Sequence, residues 1–231
     1  MRARHRGGVW SYPGTAVNLS VVSGVLRGRW GKLWTAVVGP RSRGRDSSVR
    51  DPDVEFKVVV TGPFGVGKTT FIQHISGVPV VGTEEATTGD EAELKPTTTV
   101  GLEHGHFDVH GDQLSTRLLL YGTPGQDRFR FMWDVVAEGA DACVVLVDVA
   151  NPSTWPDAAR ILSFFHDKPI TALAVGANRG VEIPVAVDML REFLATDVTV
   201  VPCNVIDERS ARHLLVSLLT SLARSESRSC A

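Results

Sequence analysis

From residue 53 onward, short β-branched runs alternate with longer stretches whose apolar positions recur every three or four residues, the rhythm of a parallel sheet covered by helices. Residues 56–61, Phe-Lys-Val-Val-Val-Thr, read as the first strand, and residues 69–77 as the first helix, stopped by Gly77 and Pro79. Residues 80–96 are rich in Thr, Glu and Gly without a period, which predicts a mobile loop before a strand over about 100–109. The turn His110-Gly111-Asp112 returns the chain through residues 116–121, so these two strands are expected to form a hairpin, the one antiparallel feature. Residues 142–149 are nearly all apolar, as a strand buried on both faces must be. Helices are predicted over 155–167, 185–195 and 210–224, alternating with strands over 170–175 and 198–201. The pattern contains no internal repeat. The expected fold is α/β: a six-stranded, mostly parallel sheet with one antiparallel edge strand and helices on both faces.

Composition supports one full-sized domain with an appendage: 231 residues, 43% hydrophobic and 22% charged. No run reaches the roughly 18 apolar residues of a membrane span; the longest candidate, residues 16–26, is broken by Asn18, Ser20, Ser23 and Gly24. Cys143, Cys203 and Cys230 have neither paired spacing nor neighbouring histidines, which excludes a disulfide framework or zinc knuckle and implies a reducing, cytoplasmic setting. The net charge of −2 conceals an asymmetry, with ten Lys or Arg against Asp46 alone in residues 1–50 and fourteen against twenty-five acids in the remainder. The basic part is rich in Gly, Ser and Pro and lacks sustained periodicity, so residues 1–52 are expected to be a disordered extension rather than a nucleic-acid-binding face. Three readings of it stand: an arm touching anionic lipid or another acidic surface, a poor targeting sequence, or upstream codons read as protein, with a true start near Val49. Residues 53–224 are the expected nucleotide-binding domain and 225–231 a disordered tail.

The sharpest chemical signal is Gly62-Pro-Phe-Gly-Val-Gly67-Lys68-Thr69, which satisfies G-x-x-x-x-G-K-[ST] directly after a predicted strand and before a predicted helix. Glycines let the backbone of Phe64, Gly65, Val66 and Gly67 curl with its N–H groups inward, and the helix start at Lys68, Thr69 and Thr70 adds partial positive charge there. Polyphosphate is the matching ligand. Lys68 supplies a point charge to the terminal phosphates, and the Thr69 hydroxyl a ligand for magnesium. An ordinary glycine-rich turn with a surface lysine is the bland alternative, and the flanking elements weigh against it.

A phosphate loop alone does not separate kinases, ATPases and GTPases, but Leu120-Tyr-Gly122-Thr-Pro-Gly125-Gln126-Asp-Arg-Phe129 narrows the choice. It follows a buried strand, where a glycine N–H can sense a terminal phosphate and the next glutamine can orient an attacking water. Here the chain resembles the small Ras-like GTPases over about residues 54–224, including Phe129-Arg-Phe-Met-Trp133. The likeness is closest to bacterial members with a Gly-Thr-Pro-Gly-Gln signature, typically encoded beside roadblock-type and sensor-kinase-like proteins. The resemblance implies a P-loop NTPase fold of the Ras-like G-domain type, GTP or GDP with magnesium as ligands, and ATP not excluded. It makes Gly125 the phosphate sensor and Gln126 the water-positioning residue. Matching Thr99-Val-Gly-Leu-Glu103 to the family's Thr-x-Gly-x-acid pattern selects Thr99, from three consecutive threonines, as the second magnesium ligand.

Two positions depart from that family. Most Ras-like proteins carry Asp at the first position of D-x-x-G, where this chain has Gly122, a departure the bacterial subgroup shares. Magnesium is then expected on Thr69, Thr99 and phosphate oxygens, with Asp148 assisting only if the sheet register allows. Guanine-specific members use Asn-Lys-x-Asp; here Asn178-Arg179-Gly180-Val181 lacks the carboxylate, which by general magnitudes removes about 2–4 kcal/mol of base preference. Asn178 is expected to line the base pocket and Arg179 to stack on the ring. Cys203, Asn204 and Val205 stand where the family has its second base-contacting loop, with Cys203 a packed residue. Three functions compete: a slow GTP or mixed-nucleotide hydrolase acting as a switch, a pseudo-GTPase interaction module, and a nucleoside-type kinase, which the absence of an arginine-rich lid disfavours. A roadblock-type partner and a GTPase-activating partner are implied by the resemblance. Arg128 and Arg130 are the in-chain arginine candidates, and Cys230 is not in a prenylation box.

Overall fold

The computed structural model describes residues 9–12, 15–18, 52–76, 84–86, 97–99, 102–110, 115–125 and 129–229. Its centre is a six-stranded sheet in the order β10-β9-β8-β3-β7-β6, built from β3 (Val54–Thr61), β6 (Glu103–His110), β7 (Ser115–Gly122), β8 (Ala142–Asp148), β9 (Ala172–Asn178) and β10 (Thr199–Cys203). Every neighbouring pair is parallel except β6 with β7, which run antiparallel from His110 opposite Ser115 to Glu103 opposite Gly122. The expected hairpin is therefore the one antiparallel edge.

Apolar alternation along the central strands divides the interior in two. In β8, Ala142, Val144 and Leu146 enter one core, while Cys143, Val145 and Val147 enter the other, so the strand is buried on both faces. The first core is closed by α1 (Lys68–Ile75), through Phe71, Ile72 and Ile75, and by α5 (Glu208–Ser229), through Ala211, Leu214, Leu215, Leu218 and Leu222. The second is closed by α2 (Phe131–Ala137), α3 (Trp155–His166) and α4 (Pro184–Leu194). In α3 the buried set Trp155, Ala158, Ile161, Leu162 and Phe165 repeats at helical spacing. Pro156 fits the open first turn of that helix, where its missing N–H costs nothing.

Several boundaries differ from the sequence-based expectation, for local physical reasons. Helix α2 was not expected, although Trp133, Val136 and Ala137 form a buried i, i+3, i+4 face and Gly139, at φ 65, follows its end. Seven residues give too short a period to read with assurance. The expected strand over about 100–109 is β6, and the unexpected β5 (Thr97–Thr99) before it pairs antiparallel with β4 (Glu84–Ala86), which lies inside the segment read as loop. Helix α5 continues to Ser229 instead of stopping at Arg224, so the expected tail is helical almost to its end; no Gly or Pro interrupts residues 208–229. In the basic extension, β1 (Val9–Tyr12) pairs with β2 (Thr15–Asn18), while residues 19–51 lie outside the described residues. No helix among the described residues is long and apolar enough to cross a membrane.

The second core has an aromatic centre: Phe165 meets Phe164 edge-on at 5.1 Å, and Trp133 lies 5.3 Å from Phe164 and 6.3 Å from Phe165. Phe165 is fully buried, whereas Phe131 is 69% exposed. Phe165→Ala should destabilise the fold by about 3–5 kcal/mol in urea melts. Phe131→Ala should change it by no more than about 0.5 kcal/mol.

Candidate functional site

The turn from β3 into α1 is shaped by three glycines with positive φ, Gly62 (143°), Gly65 (74°) and Gly67 (103°), where a side chain would strain the backbone. Two of them also lack space. A Cβ on Gly62 would lie 2.3 Å from the Leu146 carbonyl oxygen, and one on Gly67 would lie 2.9 Å from Val205 Cγ2. Gly65 faces open space, Phe64 is half-buried and Val66 is buried beneath the loop. Lys68 is only 8% exposed, and its Nζ donates to the carbonyls of Gly62 and Pro63 at 2.8 Å each, which holds the ammonium across the mouth of the loop. Thr69 donates its hydroxyl to the carboxylate of Glu103 at the start of β6. Thr70, the next residue of α1, is half-buried, and its carbonyl accepts a hydrogen bond from His74 Nδ1 at 2.8 Å.

The chain after β7 comes to rest on this loop. A Cβ on Gly125 would lie 2.8 Å from Lys68 Nζ and 3.0 Å from Phe64 Cα, so backbone at Gly125 and the phosphate loop are in direct contact. Thr123 anchors that segment: its N–H donates to the Val60 carbonyl at 3.0 Å and its buried hydroxyl to Thr61 Oγ1 at 2.8 Å. Sequence reasoning did not single out this threonine pair, although the hydroxyl at each strand end was the available signal. Gln126 and Arg128 lie outside the described residues, as does the side chain of Thr99, whose backbone pairs with Glu84. Arg130 is placed, with its guanidinium 5.6 Å from the Trp133 ring centroid.

On the far side of the loop, Asn178 at the end of β9 ties three segments together. Its Nδ2 donates to the Val66 carbonyl at 3.0 Å, and its Oδ1 accepts from Arg179 N at 2.9 Å and Val205 N at 3.2 Å. All these atoms are held by one buried amide, so Asn178 fixes the distance between the phosphate loop and the 203–205 loop. Arg179 sits at φ 62 with its side chain 58% exposed, 3.1 Å from Asp148. Asp148, opposite Asn178 in the register, accepts from Ala150 N at 2.9 Å and lies 3.1 Å from Arg179, so it caps the loop after β8 and pairs with Arg179. Cys203 is fully buried, and burial, then Glu182, pushes its thiol up to about 12. Asn204 donates its amide to Glu182 at 2.7 Å, and Val205 packs on Gly67. Val181, at the position of the missing acid, is an exposed apolar residue.

Among the described residues, no three His, Cys, Asp or Glu side chains converge as a self-contained metal centre. The donors present beside the loop are the Thr69 hydroxyl and the Glu103 carboxylate, an all-oxygen set that suits magnesium completed by phosphate oxygens.

A glycine-rich loop between a central parallel strand and a helix, with a lysine across its mouth, defines a domain of the P-loop class. Comparison with known sequences agrees, for the Ras family model matches residues 57–177, and the chain belongs to the Ras family. Ras-related protein Rab-26 of Homo sapiens is 30% identical over 134 residues, covering 56% of this chain and 47% of that protein. Ras-related protein RABA1g of Arabidopsis thaliana is 26% identical over 117 residues, covering 51% of this chain and 48% of its own length. The chain spans about half the length of the curated relatives it matches. The family match ends at residue 177, one position before Asn178, so the base-side residues lie beyond it.

Two outcomes follow from this geometry. Gly62→Ala, which sets a methyl against a backbone carbonyl, should abolish nucleotide binding and destabilise the fold by more than about 1 kcal/mol, measured by calorimetry and urea melts. Thiol titration at pH 8 of the native protein should leave Cys143 and Cys203 unreacted until denaturant is added, because burial raises both thiols above their ordinary range.

Proposed function

We propose that this chain binds GTP or GDP with magnesium and acts as a slow nucleotide hydrolase that switches a partner-binding surface. The observation that supports this most directly is the contact of Gly125 with Lys68 and Phe64. A terminal phosphate bound by Lys68 would lie against the backbone that leads into Gln126, so the γ-phosphate and the loop beyond Thr123 would respond to each other. The roles are assigned residue by residue. The amides from Phe64 to Thr70 and the Lys68 ammonium hold the phosphates. Thr69 and Thr99 supply magnesium ligands, Gly125 senses the terminal phosphate, and Gln126 positions the water. When bound, magnesium neutralises charge on the phosphate oxygens. Asn178 positions the phosphate loop against the base-side loop of Cys203, Asn204 and Val205, and Arg179 offers a face for stacking.

Arg130 lies over the Trp133 ring, which leaves Arg128 or an arginine from a partner to act on the transition state. A roadblock-type protein and sensor-kinase-like signalling proteins are proposed as partners on the resemblance described above. Exposed Val181 in place of the base-binding acid favours a second reading, an interaction module that binds GTP and ATP weakly and without selection.

Calorimetry with GTP, GDP, ATP and ADP, each with magnesium, separates the two readings. The switch reading expects guanine nucleotides to bind at least tenfold more tightly, whereas similar weak affinities support the module. Lys68→Ala should weaken binding by roughly 10–100-fold. Gln126→Leu should leave affinity near wild type and slow single-turnover hydrolysis roughly tenfold or more; unchanged turnover would remove the water-positioning role. A folded protein with no affinity for any nucleotide in magnesium would end the proposal.

A further inference from the structure

Building on the nucleotide-binding reading above, we infer that Glu103 supplies the carboxylate of the magnesium site, from the strand adjacent to the one that carries the acid in most Ras-like proteins. Four observations converge on this residue. Glu103 begins β6 and stands directly opposite Gly122, the last residue of β7, in the antiparallel register. Directly opposed residues project to the same face of a sheet, so a side chain on either one competes for the same space. Gly122 has none, and a Cβ there would lie 2.8 Å from Glu103 Oε2 and 3.1 Å from Glu103 Cβ. The glutamate therefore occupies the volume that an acid at position 122 would need.

The carboxylate is also aimed correctly. Thr69, the hydroxyl residue of the phosphate loop, donates to Glu103 Oε1, so the hydroxyl and the carboxylate meet from two different elements, α1 and β6. A P-loop hydroxyl and one carboxylate, completed by phosphate oxygens, form the donor set by which such domains hold magnesium. Finally, Glu103 is only 3% exposed. A carboxylate so removed from water favours a dication beside it, because burial weakens screening and strengthens attraction. Gly122 does not have a positive φ, so the backbone does not require glycine there. The requirement is clearance for Glu103 together with Ile72, whose Cδ1 would lie 2.8 Å from the same Cβ.

A purely structural role for Glu103, as a hydrogen-bond acceptor within the protein, makes a different prediction from a metal role. The test is the dissociation rate of a fluorescent guanosine diphosphate from the full chain, in magnesium and in excess EDTA. Wild type should release nucleotide at least tenfold more slowly in magnesium. In Glu103→Gln that ratio should fall to within about threefold of unity, with the EDTA rate close to wild type. Glu103→Ala combined with Gly122→Asp, which returns an acid to the partner strand, should recover most of the ratio. Bound Mn2+ should give a broadened electron paramagnetic resonance spectrum in wild type and the double variant and a free-ion spectrum in Glu103→Gln. A wild-type magnesium ratio in Glu103→Gln overturns the assignment, as does equal acceleration with and without the metal. If Glu103→Gln does not melt cooperatively, the double variant decides, and a folded double variant without magnesium dependence overturns it. Wild-type protein that binds nucleotide indifferently to magnesium sinks this inference alone. Wild-type protein that binds no nucleotide sinks the reading on which it rests as well.

Discussion

The close approach of Gly62 to the Leu146 carbonyl is the constraint from which the site is built. It brings the end of β3 against β8 with no side chain between them, and the loop beyond can then curl tightly enough to start α1 at Lys68. Because β3 and β8 are both central and buried on both faces, the loop is mounted on the buried middle of the sheet. Every other contact of the site is referred to that mount. Asn178 reaches it from β9, Thr123 from the end of β7 and Glu103 from β6, so five neighbouring strands, β9-β8-β3-β7-β6, and the connecting backbone define one cradle.

Much of this was legible beforehand because it is local. The motif at residues 62–69 specifies its own turn, and the continuous apolar run at 142–149 specifies a doubly buried strand, since both signals are complete within a few residues. The hairpin was equally readable from Gly111 and Asp112 between alternating segments. What was not legible depends on register between distant segments. Nothing in a linear reading says that Glu103 faces Gly122, that Thr61 bonds Thr123, or that Asp148 stands opposite Asn178 and pairs with Arg179. A shift of one residue in any pairing would turn each side chain to the opposite face. Helix α2 escaped for a different reason, because two turns carry too few apolar positions to define a period.

The segment around Asn178 is held by internal bonds that need no ligand. Asn178 keeps three hydrogen bonds that join the phosphate loop to the 203–205 loop, and Val205 keeps its packing on Gly67. Those interactions are internal to the protein and stabilise it with or without a particular base. The residue three positions after Asn178 takes no part in that framework, and it is an exposed valine. The two therefore reside in separate side chains of the same short segment, and one can change while the other stays.

The hydroxyl pair of Thr61 and Thr123 has a mechanical meaning. It fastens the root of the segment after β7 to the neighbouring strand, while two residues later Gly125 merely touches the loop. The segment is thus tethered to the sheet at one residue and abuts Lys68 at another, so its root and its approach to the ammonium are set by different partners.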